Sequence, residues 1–227
     1  MTSIKSGRLT AAIGSSRSGK TQFVSSQIAG KSRVLIWDIK GEYPAKYRAR
    51  TKKELGQIIK ATAGKPGIVA MTADRLSDFD YFCRAAQIWV KSHYVAGQNC
   101  VLIFEETADV TSPGKAPEGY GVILRRFLSY GVDIYAITQR PAESDKTAVG
   151  NASIIRVCRL QLARDRKSVA TDTGLPLSDI ESLRADQERG EFDYLHADTG
   201  RGKYFAGRLT FAAGKPKFTK KTGEKPL

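Results

Sequence analysis

Long apolar runs are missing from the 227 residues. No stretch reaches the ~18 uninterrupted apolar residues that a bilayer-spanning helix needs, and the polar start MTSIKSGRLT lacks the apolar core of a secretion signal. These absences lead to the expectation of a protein kept in a cytoplasm-like compartment, with no membrane insertion of its own. Cysteine is scarce as well. Cys83, Cys100 and Cys158 lie far apart in apolar surroundings, with no CxxC pair and no cluster of histidines nearby, which argues against a metal site and leaves buried free thiols. Acidic charge is in short supply: 37 Lys and Arg stand against 23 Asp and Glu, a formal net charge of +14. That balance is the electrostatic footprint of a protein that meets nucleic acid, or of a generally basic surface.

What is present is a regular alternation of short apolar strands and helical stretches. Residues 8–13 read as a strand running into a Gly and Ser loop, with a helix over 20–29. The continuous apolar run at 32–39 suits a parallel strand buried on both faces. Helices follow over 52–62 and 77–96, strands over 67–71 and 100–104, then a Ser, Thr, Pro and Gly-rich loop over 107–120. A helix over 120–130, a strand over 132–138 and an Arg-bearing strand over 154–162 placed near an edge come next. Two short helices, over 165–173 and 177–186, precede an antiparallel strand pair, 192–196 and 203–209, joined by the turn DTGRG. The expectation is one α/β domain over 1–212, a mainly parallel sheet sandwiched in three layers with a C-terminal antiparallel strand pair. Residues 213–227, Lys-rich with two prolines, read as a basic flexible tail.

The segment Gly14-Ser15-Ser16-Arg17-Ser18-Gly19-Lys20-Thr21 fits G-x-x-x-x-G-K-[ST] between a strand and a helix. In such a loop, backbone N–H groups and the positive helix end surround phosphates, and glycines let the chain curl tightly enough. Lys20 then serves the β and γ phosphates of ATP, and the Thr21 hydroxyl serves Mg2+. CVLIFEE supplies a second acidic strand end: Glu105 is the candidate magnesium residue, through water, and Glu106 the candidate base for the attacking water. Gln139, at the end of VDIYAIT, is the candidate for contacting both the γ phosphate and the water.

The strand exit WDIKGEY, the strand LIFEE, and YAITQRP preceded by an Arg-bearing helix together resemble the FtsK and HerA superfamily of DNA-pumping ATPases, over roughly residues 8–209. The phosphate loop is unspecific to that superfamily; the DIKGEY and TQRP segments are much more specific. Length and the lack of large extra domains make the chain most similar to the genome-packaging ATPases of tectivirus-type, membrane-containing bacteriophages. The resemblance implies a RecA-like ATPase fold and a homo-oligomeric ring, usually a hexamer, in which an arginine from the neighbouring subunit touches the γ phosphate. Arg125 and Arg126 are the candidates. Relatives often carry an arginine three residues before the glycine matching Gly131, and Leu128 stands there instead, so Arg125, Arg126 or Arg140 must substitute. Relatives mostly have Asp where Glu105 stands. Asp38 and Glu42 would lie near the nucleotide or the subunit boundary. The implied partners are double-stranded DNA, which Lys115 and the tail are candidates to touch, and other virion vertex proteins. The implied location is the packaging vertex of a virion and the host cytoplasm. Competing readings are a HerA-like or conjugative DNA translocase, a small-molecule kinase with the same loop, and a nucleotide-regulated assembly protein.

Overall fold

A computed structural model describes residues 6–114 and 116–227; Lys115 lies outside the described residues. In chain order the elements are β1 (Leu9–Ile13), α1 (Lys20–Ile28), β2 (Arg33–Trp37), β3 (Tyr47–Ala49), α2 (Lys52–Thr62), β4 (Gly67–Met71), α3 (Phe79–Val95), β5 (Cys100–Phe104), α4 (Thr107–Val110) and α5 (Glu118–Arg126). They continue with β6 (Val132–Thr138), α6 (Thr147–Gly150), β7 (Ile154–Cys158), α7 (Ala163–Thr173), α8 (Leu177–Ser182), β8 (Ala185–Asp186), β9 (Glu191–Asp198), β10 (Lys203–Ala212), β11 (Lys215–Lys220) and β12 (Lys225–Pro226). Short 3-10 turns, Leu76–Asp78 and Leu128–Tyr130, lead into α3 and out of α5.

The strands form one sheet ordered β11-β10-β9-β7-β1-β6-β5-β2-β4-β3, with β12 paired to β10 and β8 to β9. From β7 to β3 every pairing is parallel. β9, β10 and β11 add an antiparallel flank. β1 and β5 are buried along their whole length, because a parallel strand is covered on both faces and so reads as a continuous apolar run. Alternate residues then serve two cores. Ala11, Ile13, Leu35, Trp37 and Phe104 face a layer of α2, α3, α5 and α7, while Ala12, Ile36 and Ile103 face α1 through Phe23 and Val24. The larger core centres on an aromatic cluster in which Phe79 lies 5.2 Å from Trp37 and Tyr120 lies 4.9 Å from Phe104, ring centre to ring centre. Edge-to-face pairs of this kind add about 0.5–1.5 kcal/mol each beyond their area burial.

Two expectations are corrected. The strand at 154 is interior, between β1 and β9, and not near an edge. Its Arg156 is tolerated there because the guanidinium is stacked on aromatic faces, 3.5 Å from the Tyr194 ring centre, 4.0 Å from Phe23 and 5.4 Å from Phe218, where cation–π attraction offsets lost water. Burial lowers its pKa from the usual arginine value. The second correction concerns residues 213–227, expected as a flexible arm. Lys215–Lys220 instead pair with β10, from Gly207↔Lys220 to Ala212↔Lys215. A stretch too polar to fold alone is ordered by borrowing the free edge of an existing strand, and Phe218 packs against the α1 core. Among the described residues no helix is long and apolar enough to cross a membrane.

Candidate active site

The loop from Gly14 to Gly19 is pinned to both strands beside β1. Gly14 N–H donates to the Thr138 carbonyl at 3.2 Å, and Ser15 N–H and Oγ both donate to the Arg159 carbonyl at 2.9 Å. A Cβ on Gly14 would stand 2.7 Å from Cys158 Cβ and from Ser18 Oγ, so no side chain fits. Gly19 has φ 94° at the start of α1, a left-handed conformation open to glycine at little cost. Lys20 is 6% exposed and donates to the Ser15 carbonyl at 2.8 Å, an acceptor shared with Ser18 Oγ at 2.7 Å. Burial lowers the Lys20 pKa, and the charges of Cys158, Glu106 and Glu105 work the other way. The loop therefore holds a desolvated cation whose neutral partner an arriving phosphate can replace.

Opposite the loop stand the carboxylates. Glu105 follows β5, is buried, and its Oε1 accepts the Tyr43 hydroxyl at 2.7 Å. Burial pushes its pKa up to about 7. Glu106 occupies a left-handed conformation, φ 49°, at the start of α4, a position that turns its side chain away from the strand direction. Its Oε1 receives Lys40 Nζ and Gln139 Nε2. β6, inserted between β1 and β5, is what carries Gln139 to this point. Asp38 is fully buried and accepts the N–H of Glu42 at 3.0 Å, the N–H of Tyr43 at 3.2 Å and Arg48 Nη1 at 2.9 Å. It builds the turn that delivers Lys40 and Tyr43.

Loop and carboxylates share a cavity of about 600 Å3. Ser16, Arg17, Ser18, Gly19, Lys20 and Thr21 line it, with Lys40, Glu42, Glu105, Glu106 and Gln139 across from them. Thr21 and Glu105 present hard oxygen donors, the type Mg2+ prefers, and few protein donors are needed when phosphate and water oxygens complete its shell. The residues present fit that ion. Arg125 and Arg126 are outside this cavity. They are exposed in the last turn of α5, which leads to the amino end of β6, whereas the loop leaves the carboxyl end of β1. Arg140 is exposed and paired with Glu143 at 3.5 Å. Sequence reasoning missed Lys40 and Tyr43, although both lie inside the DIKGEY segment, and it missed Gln187, Phe192 and Phe211, which line the cavity from the antiparallel flank.

A phosphate cradle after β1, carboxylates at the end of β5 and a glutamine on the strand between them define a P-loop nucleoside triphosphatase. No family profile matches the chain. It is 33% identical over 173 residues to protein P9 of Pseudoalteromonas phage PM2, covering 75% of this chain and 77% of that protein, and it belongs to the P9 family. The genome packaging NTPase B204 of Sulfolobus turreted icosahedral virus 2 shares the fold in complex with AMPPCP, at TM-score 0.66 and 16% identity, over 97% of this chain and 98% of that one. Its ATP-gammaS complex superposes at TM-score 0.67 and 15% identity with the same coverage. B204, the DNA-packaging ATPase from Sulfolobus turreted icosahedral virus, gives a TM-score of 0.62 at 16% identity, over 97% and 98% of the two chains.

Proposed function

We propose that this protein is the ATPase of a viral genome-packaging motor, hydrolysing ATP to drive double-stranded DNA into a preformed capsid. The observation that carries the reading is the convergence of Lys20, Glu106 and Gln139 on one cavity in a chain of the P9 family. ATP places its triphosphate along Ser15 to Thr21, with Lys20 moving from the Ser15 carbonyl to the β and γ phosphates. Thr21, and Glu105 through water, would hold Mg2+, which would supply charge neutralisation at the phosphate oxygens. Glu106 accepts a proton from water as the water oxygen bonds to the γ phosphorus and the bond to the bridging oxygen breaks, giving ADP and inorganic phosphate. Gln139 holds the water and the base in line. Arg125 or Arg126 of a neighbouring subunit completes the site in a ring, with hexamer as the expected size, mounted among vertex proteins of the virion.

The DNA contact is electrostatic. Residues 199–227 contain eight Lys and Arg against one Glu, half of the whole net charge of +14, on the antiparallel flank. The experiment is ATP hydrolysis with and without double-stranded DNA over a salt series, beside Glu106→Gln. Stimulation that fades with salt and is abolished in the variant is the expected result; hydrolysis indifferent to DNA, alone and on reconstituted capsids, would sink the motor reading.

A further inference from the structure

The cavity has two unlike ends. On the β5 and β6 side of the loop stand Glu105, Glu106 and Gln139; on the other side, beyond β7, stand Gln187 in the β8–β9 turn, Phe192 on β9 and Phe211 on β10. A triphosphate whose γ end meets the carboxylates and glutamine must point its α end the opposite way. Phe211 is 40% exposed, a large apolar ring left open to water at the mouth of a polar cavity. It meets Phe192 edge to face, with ring centres 6.3 Å apart and planes at 89°, so the pair presents a corner of one ring face and one ring edge. Behind them Phe192 touches the loop itself: a Cβ on Gly19 would lie 3.3 Å from Phe192 Cβ. The triphosphate cradle alone does not account for this aromatic extension, and base–aromatic stacking does, because every purine offers a π face of matching size.

We propose that Phe211, backed by Phe192, is the stacking platform for the purine base of the nucleotide, with the Gln187 amide at the base edge. This rests on the reading of the cavity as an ATP site. The antiparallel flank is then part of the nucleotide site and not only a basic surface. Stacking favours the larger purine ring modestly over pyrimidine, and an exposed amide that both donates and accepts discriminates weakly between adenine and guanine.

The test is calorimetric binding of magnesium ATP, magnesium CTP and magnesium tripolyphosphate to wild type, Phe211→Ala and Phe211→Trp. Phe211→Ala is expected to weaken ATP binding about tenfold or more while leaving tripolyphosphate binding unchanged. Phe211→Trp is expected to keep ATP binding and to report it by a fluorescence change that tripolyphosphate does not produce. Equal losses for ATP and tripolyphosphate would mean that Phe211 only supports the loop, and an unchanged ATP affinity would mean that the base lies elsewhere; either overturns the platform. Wild type that binds tripolyphosphate but gains nothing from the nucleoside also overturns it, whereas wild type that binds neither, with Lys20→Ala no different, overturns the ATP site itself.

Discussion

Glu105 is held by a neutral donor, Tyr43, in a place that has removed most of its water. An unfolded glutamate releases its proton near 4.5 and the folded Glu105 near 7, so ionisation favours unfolding as pH rises from 4.5, and the penalty is complete above 7. Glu105→Gln carries no such penalty. In the absence of magnesium and nucleotide it should melt about 2–6 °C above wild type at pH 8, with the gap closing as pH falls toward 4.5; equal melting temperatures at pH 8 would show that Glu105 is not desolvated in solution. Two donors, Lys40 and Gln139, meet the Glu106 carboxylate. Glu106→Gln should retain ATP binding and lose on the order of 10²–10⁴ in turnover, while Lys40→Ala, which frees the base from one donor, should change turnover without abolishing binding. Steady-state rates beside direct binding separate these outcomes.

At the scale of elements, the parallel half of the sheet was readable in advance because buried parallel strands leave an unbroken apolar signature: β4, β5 and β6 fall where 67–71, 100–104 and 132–138 placed them. α2 was equally clear, and its capping box, Thr51 Oγ1 accepting Glu54 N–H at 3.3 Å and Glu54 accepting Thr51 N–H at 3.1 Å, is why its start is sharp. β11 was not readable, since KPKFTK has no apolar alternation to announce a strand and its order comes from β10. β3 was missed for the same reason, being three residues on the outer edge of the sheet. The loop, Glu105, Glu106 and Gln139 were singled out from local patterns, whereas Phe192 and Phe211 reach the cavity only because the β9–β10 hairpin docks through β9 on β7. The β11 assignment is itself testable: Phe218→Ala should lower the melting temperature by about 5 °C, and an unchanged melt would return the segment to a free arm.

The whole molecule places Arg125 and Arg126 and its phosphate loop at opposite ends of the parallel strands, so either arginine could act on a nucleotide only in a neighbouring copy. A double variant, Arg125→Ala with Arg126→Ala, should bind ATP and fail to turn it over. Mixing it with Glu106→Gln protein should restore part of the activity, because some boundaries then join an intact Glu106 to intact arginines; no recovery at any ratio would remove these arginines from the site. DNA affinity should fall steeply with salt, on the order of a thousandfold between about 50 and 200 mM if some six phosphates are contacted. The stack on Arg156 has a consequence for the order of events during synthesis. Phe23, on the helix that begins with Lys20, shares that guanidinium with Phe218, which lies 195 residues further along the chain. A nascent chain therefore makes Phe23 early and its Phe218 neighbour almost last, and a fragment lacking β11 leaves that side of the Arg156 guanidinium uncovered while the loop keeps its bonds to Thr138 and Arg159.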